Sequence, residues 1–141
     1  MPKRNTQLIR LIEVFSQTPF ERPTRLYDKE TSIASIMIFD GEEVDKALKG
    51  KTWQSMVEDP YATLGTFKNG LTFPRDFIVI LSDKALLYYL PLFLSAIIIN
   101  PAEADVLIDS LLSKFSSQSL FGQLSDAQQE LYKEVMAPFG H

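Results

Sequence analysis

The sequence predicts a mainly α protein: one compact domain of five to six helices bundled around a central helix, at about 83–99, that carries a proline kink. Three observations predict it. Phe77 to Ile99 is an almost unbroken apolar run, interrupted once by Ser82-Asp83-Lys84 and once by Pro91, and so much apolar surface in one stretch must leave water. Three capping boxes mark helix starts: Asp40-Gly-Glu-Glu43, Asn100-Pro-Ala-Glu103 and Ser125-Asp-Ala-Gln128. In each, a side-chain oxygen serves an orphan backbone N–H and an acid or amide three residues on reciprocates. The segments around the run repeat apolar residues every three to four positions, and 141 residues fit one domain with a core large enough to need no staples.

The elements follow in order. Near Thr6 to Gln17, Leu8, Leu11, Ile12 and Phe15 make one apolar stripe. Between Asp40 and Gly50 the stripe is Val44, Ala47 and Leu48, and Gly50 can take the left-handed conformation that closes a helix. From Pro101, favoured at a first helical position, the stripe is Ala104, Leu107, Ile108, Leu111, Leu112 and Phe115. Asn100 alone separates it from the central run, so the two should form a helical hairpin. The last helix, about Asp126 to Ala137, offers Leu131, Val135 and Met136 and stops before Pro138. Pro19 to Thr24 and Pro60 to Pro74 read as loops. The isoleucine-rich segments 33–39 and 77–81 can each be a short buried strand, an extended arm or an extra helical turn, and periodicity in so short a run does not separate these options.

Ala85 to Ile99 is 15 uncharged residues, short of the roughly 20 a bilayer span needs, and Asp83, Lys84 and Glu103 flank it closely. No membrane association is expected. Pro91 withholds the bond its N–H would give the Leu87 carbonyl, which bends a helix and costs on the order of 3 kcal/mol unless packing compensates. The basic, then apolar, N-terminus is cut by Arg10 and Glu13 and no small-residue cleavage site follows, so a retained, cytoplasmic chain is expected.

Chemistry is limited by inventory. There is no cysteine, and the single histidine is the last residue, His141, which argues against thiol nucleophiles, zinc sites and an imidazole base. Carboxylates remain: Asp105 and Asp109 are one helical turn apart, and Glu42, Glu43 and Asp45 cluster. Such acids can hold a divalent cation or form an acid–base couple, or simply line a solvated helix face. No glycine-rich phosphate cradle is present. The net charge of −4 is unevenly spread: residues 1–25 carry five bases and two acids, 26–60 four and eight, 101–141 two and six. Nucleic acid is disfavoured as a partner, because no basic stripe exists beyond Lys3, Arg4 and Arg10. An acidic surface suits a basic protein.

The stretch Leu81-Ser82-Asp-Lys-Ala85-Leu-Leu-Tyr88-Tyr89-Leu90-Pro91-Leu92-Phe93-Leu94 follows Gly50-Lys-Thr-Trp53 and precedes Ala104-Asp105-Val106. It resembles a family of small uncharacterised bacterial proteins in which a G-K-x-W segment comes before a core of the form L-[ST]-x-x-[AG]-x-x-[YF]-[YF]-L-P-x-[YF]-L. The resemblance spans about Glu42 to Leu112. It carries no activity with it, and Trp53, Tyr88, Tyr89, Leu90 and Pro91 are of the kind that build cores. In size, acidity and want of catalytic residues the family is similar to immunity proteins of bacterial toxin systems, an analogy at the level of protein class. The expectation is a non-catalytic binding module, without cofactor or metal, that neutralises a toxin or effector domain with a basic surface. Expected contacts are Glu42, Glu43, Asp45, Glu58, Asp59, Asp105 and Asp109, with Tyr61 and Phe67 as aromatic anchors in the long loop. The alternatives are a carboxylate-dependent metal-binding enzyme and a homo-oligomeric structural module, a homodimer being the simplest such assembly.

Overall fold

The central apolar run folds into a 17-residue helix, Asp83–Ile99, in which every side chain from Ala85 to Ile98 is buried. Residues 2–26, 45–64, 78 and 81–139 are described by the computed structural model. Among them the order is α1 (Pro2–Gln17), a helical turn at 45–48, a 3-10 turn (Trp53–Ser55), α2 (Pro60–Leu64), the central helix α3 (Asp83–Ile99), a second 3-10 turn (Pro101–Ala104), α4 (Asp105–Lys114), α5 (Gln118–Phe121) and α6 (Asp126–Met136). No strand occurs among the described residues. Helices α1, α2, α4 and α6 and both 3-10 turns pack on α3, so the predicted helical bundle around a central helix is what forms. No helix among the described residues is long and apolar enough to cross a membrane.

The polar interruption Ser82-Asp83-Lys84 is where α3 begins. Ser82 Oγ accepts the Ala85 N–H at 3.2 Å, and Asp83 in the first turn meets the positive end of the helix dipole. At the other end the Asn100 N–H bonds to Ala96 O at 3.0 Å. Pro91 lies inside the helix and gives the Leu87 carbonyl no N–H, yet the helix continues through it. Each buried Leu, Ile or Phe around it contributes about 1.5–3 kcal/mol, enough together to offset one lost bond. The buried Ser95 hydroxyl is satisfied within the helix, donating to Leu92 O at 2.7 Å.

Helix α1 starts at Pro2, earlier than the apolar stripe alone indicates, because proline suits a first helical position. Leu11 and Phe15 are buried, with Leu8 and Ile12 partly so, as the stripe predicts. The Phe15 and Trp53 rings meet edge to face at 6.5 Å between centroids. Arg10 pairs with Glu134 of α6, and since both are well exposed the pair contributes at most about 1 kcal/mol. Gly50 closes the 45–48 turn with φ +77. A Cβ there would meet no atom within 4 Å, so the need for glycine is one of backbone conformation and not of space.

Two expectations need correction. Pro60–Leu64, read as loop, is the helix α2, with Pro60, Tyr61 and Leu64 buried; five residues are too few for a period to show. The Asn100 capping box does not form. Asn100 already ends α3, its backbone at φ −150, ψ 83, and the chain makes the Pro101–Ala104 turn before α4 begins at Asp105. The stripe itself holds: Ala104, Leu107, Ile108, Leu111 and Phe115 are buried. In 77–81, Ile78 lies in a turn and Leu81 in a bend, both buried, so neither described position is strand. The segment 33–39, the Asp40 box, Glu42, Glu43, Val44 and Phe67 lie outside the described residues.

The Ser125 box forms completely. Ser125 Oγ accepts the Gln128 N–H at 3.2 Å, and Gln128 Oε1 accepts the Ser125 N–H at 2.9 Å. Leu131, Val135 and Met136 are buried, and Pro138 lies just beyond the end of α6.

Candidate functional site

Three tyrosines build the interior by carrying a hydroxyl to the end of another element. The single O–H of Tyr89 of α3 lies between Leu48 O at 2.8 Å and Lys51 O at 2.6 Å, and Leu48 O also accepts the Lys51 N–H. Tyr61 of α2 donates to Ala96 O at 2.9 Å and Asn100 O at 2.7 Å, at the last turn of α3. Tyr132 of α6 donates to Leu111 O at 3.3 Å, near the end of α4. Leu48 O, Ala96 O, Asn100 O and Leu111 O each already accept a backbone N–H, from Lys51, Asn100, Glu103 and Phe115, so these hydroxyls add a second donor at the helix ends from elsewhere in the chain. Two amides act alike: Gln128 Nε2 donates to Thr18 O at 2.9 Å just past α1, and Gln129 Nε2 to Leu124 O at 3.1 Å past α5.

Burial pushes the Tyr89 phenol up to about 12, with Tyr88 adding to the shift and Arg22 opposing it. Burial alone takes Tyr132 to about 12. Tyr61 is raised further, first by burial and then by the Glu103 carboxylate. Because the folded pKa lies above the ordinary value of 10.0, the stabilisation is complete below that pH and is lost as pH climbs from it toward the folded value. Urea midpoints should therefore be level up to about pH 10 and fall steeply between about 10 and 12. A level profile through that window would mean the phenols are not held as described.

The Gly50–Trp53 and Leu81–Leu94 segments meet at one of these junctions. Gly50 makes the turn, Lys51 O accepts from Tyr89, Trp53 packs on Phe15, and the Tyr88 and Tyr89 rings stand edge to face at 4.8 Å. Tyr89 thus joins the two segments, whose Trp53 and Ala85 to Leu94 lie in the core while Gly50, Lys51, Asp83 and Lys84 are exposed.

The acids are outside. Glu58, Asp59, Asp105 and Asp109 are exposed. Tyr61 holds the 58–61 segment against the C-terminal end of α3, from which the chain turns directly through Glu103 to Asp105. Acids from two segments more than 40 residues apart in sequence therefore gather at one end of the central helix. Neither 52–64 nor 85–113 contains a lysine or arginine. Asp45 is half-buried and stands apart, on the turn held by Tyr89 among Lys46, Lys49 and Lys51, about 10 Å back along α3 at 1.5 Å per residue. Tyr61 is 9% exposed: its ring belongs to the fold's own core, on a helix and not in a loop. Sequence reasoning missed Glu103 as a member of this end, and missed the tie made by Tyr61; the single clue was a tyrosine directly after Asp59-Pro60. Among the described residues, no group of three or more His, Cys, Asp or Glu side chains is arranged to hold a metal ion.

No protein-family model matches the chain, and no match was found among curated proteins or among solved structures.

Proposed function

We propose that this protein is a non-catalytic binding module, an immunity-type protein that neutralises a bacterial toxin domain in the cytoplasm by occupying a basic surface. What supports the reading most is the division of labour among residues. The distinctive aromatic and proline residues of the two motif segments are spent on the core, while Glu58, Asp59, Asp105 and Asp109 face solvent on described segments, 52–64 and 85–113, that carry no lysine or arginine. Such an exterior steers a basic partner to the surface and fixes its orientation. Tyr61 serves the interface from behind, holding the 58–59 acids in register with those after Asn100.

The test is co-expression with the products of genes next to the one encoding this chain. Growth of cells carrying a toxic neighbour should be rescued, and the two proteins should co-purify as a stable complex. Failure of rescue with every neighbouring product contradicts the proposal.

A further inference from the structure

We infer that residues 18–26 form a strap that opens as a unit while the helices stay folded, and that Gln128 couples this opening to the N-terminus of α6.

The strap runs from the end of α1 to Leu26 without helix or strand. Thr18, Pro19, Glu21, Arg22, Thr24 and Arg25 are exposed, Pro23 is half-buried, Phe20 packs half-buried against the core, and Leu26 is inserted into it at 3% exposure. Among the described residues, three hydrogen bonds hold it: Gln128 Nε2 to Thr18 O at 2.9 Å, Arg22 Nη1 to Gly50 O at 3.3 Å, and Ser82 N–H to Leu26 O at 2.8 Å. Among the described residues, none of the strap's own backbone N–H groups from Pro19 to Leu26 donates a bond. A segment with few backbone bonds, no ladder, one fully buried anchor in Leu26 and one half-buried one in Phe20 opens at lower free energy than the helices beside it.

Both ends of the strap are fastened to helix caps. Ser82 is the N-cap of α3, and Gln128 completes the capping box of α6. Gln128 is fully buried, so it uses its amide nitrogen on the strap and its amide oxygen on Ser125. Releasing Thr18 leaves that nitrogen a buried donor without an acceptor, and turning the amide toward water withdraws the oxygen from the cap. Opening the strap and loosening the first turn of α6 are therefore one event.

The chain has no cysteine, so a single introduced thiol reports its own exposure. In Leu26→Cys, reaction with a thiol reagent under native conditions should run at least about tenfold faster than in Ala96→Cys in the centre of α3, with little dependence on denaturant. Adding Ser125→Ala should accelerate labelling at position 26 severalfold. Equal rates and equal denaturant slopes at 26 and 96 would overturn the strap, and indifference to Ser125→Ala would overturn the coupling. If Leu26→Cys does not fold, trypsin provides the same test on the unaltered chain. Cleavage after Arg25 should precede cleavage after Lys133 in α6 and proceed without denaturant; equal rates would again overturn the proposal.

Discussion

Replacing Tyr89 with alanine is expected to be among the most damaging single changes to the described fold, costing about 3–5 kcal/mol as a buried aromatic truncated in a packed core. Against a total stability of about 5–15 kcal/mol, that loss should lower the thermal midpoint by about 10–20 °C. The ring is fully buried and stacks edge to face on Tyr88, while the hydroxyl holds the Leu48 and Lys51 carbonyls. Tyr89→Phe separates the two contributions. It keeps the packing and strips the donor, leaving two carbonyls with no partner from α3, and should cost about 1–3 kcal/mol. Chemical denaturation of the three proteins, compared at constant slope, measures both numbers. If the phenylalanine variant matches the parent, the hydroxyl is not the clasp between α3 and the 45–51 segment.

Reversing charge at the acidic end should do the opposite, leaving the fold intact and disabling recognition. With Glu58, Asp59, Asp105 and Asp109 all changed to lysine, each exposed substitution should move stability by no more than about 0.5 kcal/mol. Association with a basic partner should slow by one to several orders of magnitude, most strongly at low salt, since complementary charge acts mainly on the encounter rate and on register. Asp45→Lys, on the turn already rich in lysine, should have a much smaller effect. Binding kinetics at two ionic strengths would distinguish these outcomes, and equal losses at Asp45 and at the acidic end would show that position does not matter.

The parts of the fold readable in advance were those whose signal is periodic or chemically local. The α3 run is apolar on every side and so has one solution, burial; its start at Ser82 and the complete box at Ser125 are capping chemistry that acts within four residues. Gly50 was readable because a positive φ at a helix end has a strong residue preference. Misread elements were decided by distant partners. Asn100 has the sequence of an N-cap, but its backbone is taken up in ending α3 and its carbonyl accepts Tyr61. α2 spans one helical turn and a half, and what fixes it is the Tyr61 hydroxyl reaching residues 35 and 39 positions away. The candidate surface was half legible for the same reason. Composition marks acidic stretches, whereas only the fold places 58–59 beside the turn that carries Glu103 and leaves Asp45 elsewhere.

The aromatic and proline residues of the motif segments lie in the core, and the binding role proposed for the acidic exterior is open to direct test. The most direct measurement takes the fourfold lysine variant and records, in the same preparation, its thermal transition and its ability to protect cells from a toxic neighbouring gene product against which the parent protein is proposed to act. The account predicts a transition within a few degrees of the parent and loss of protection. Full protection by the charge-reversed protein would contradict it.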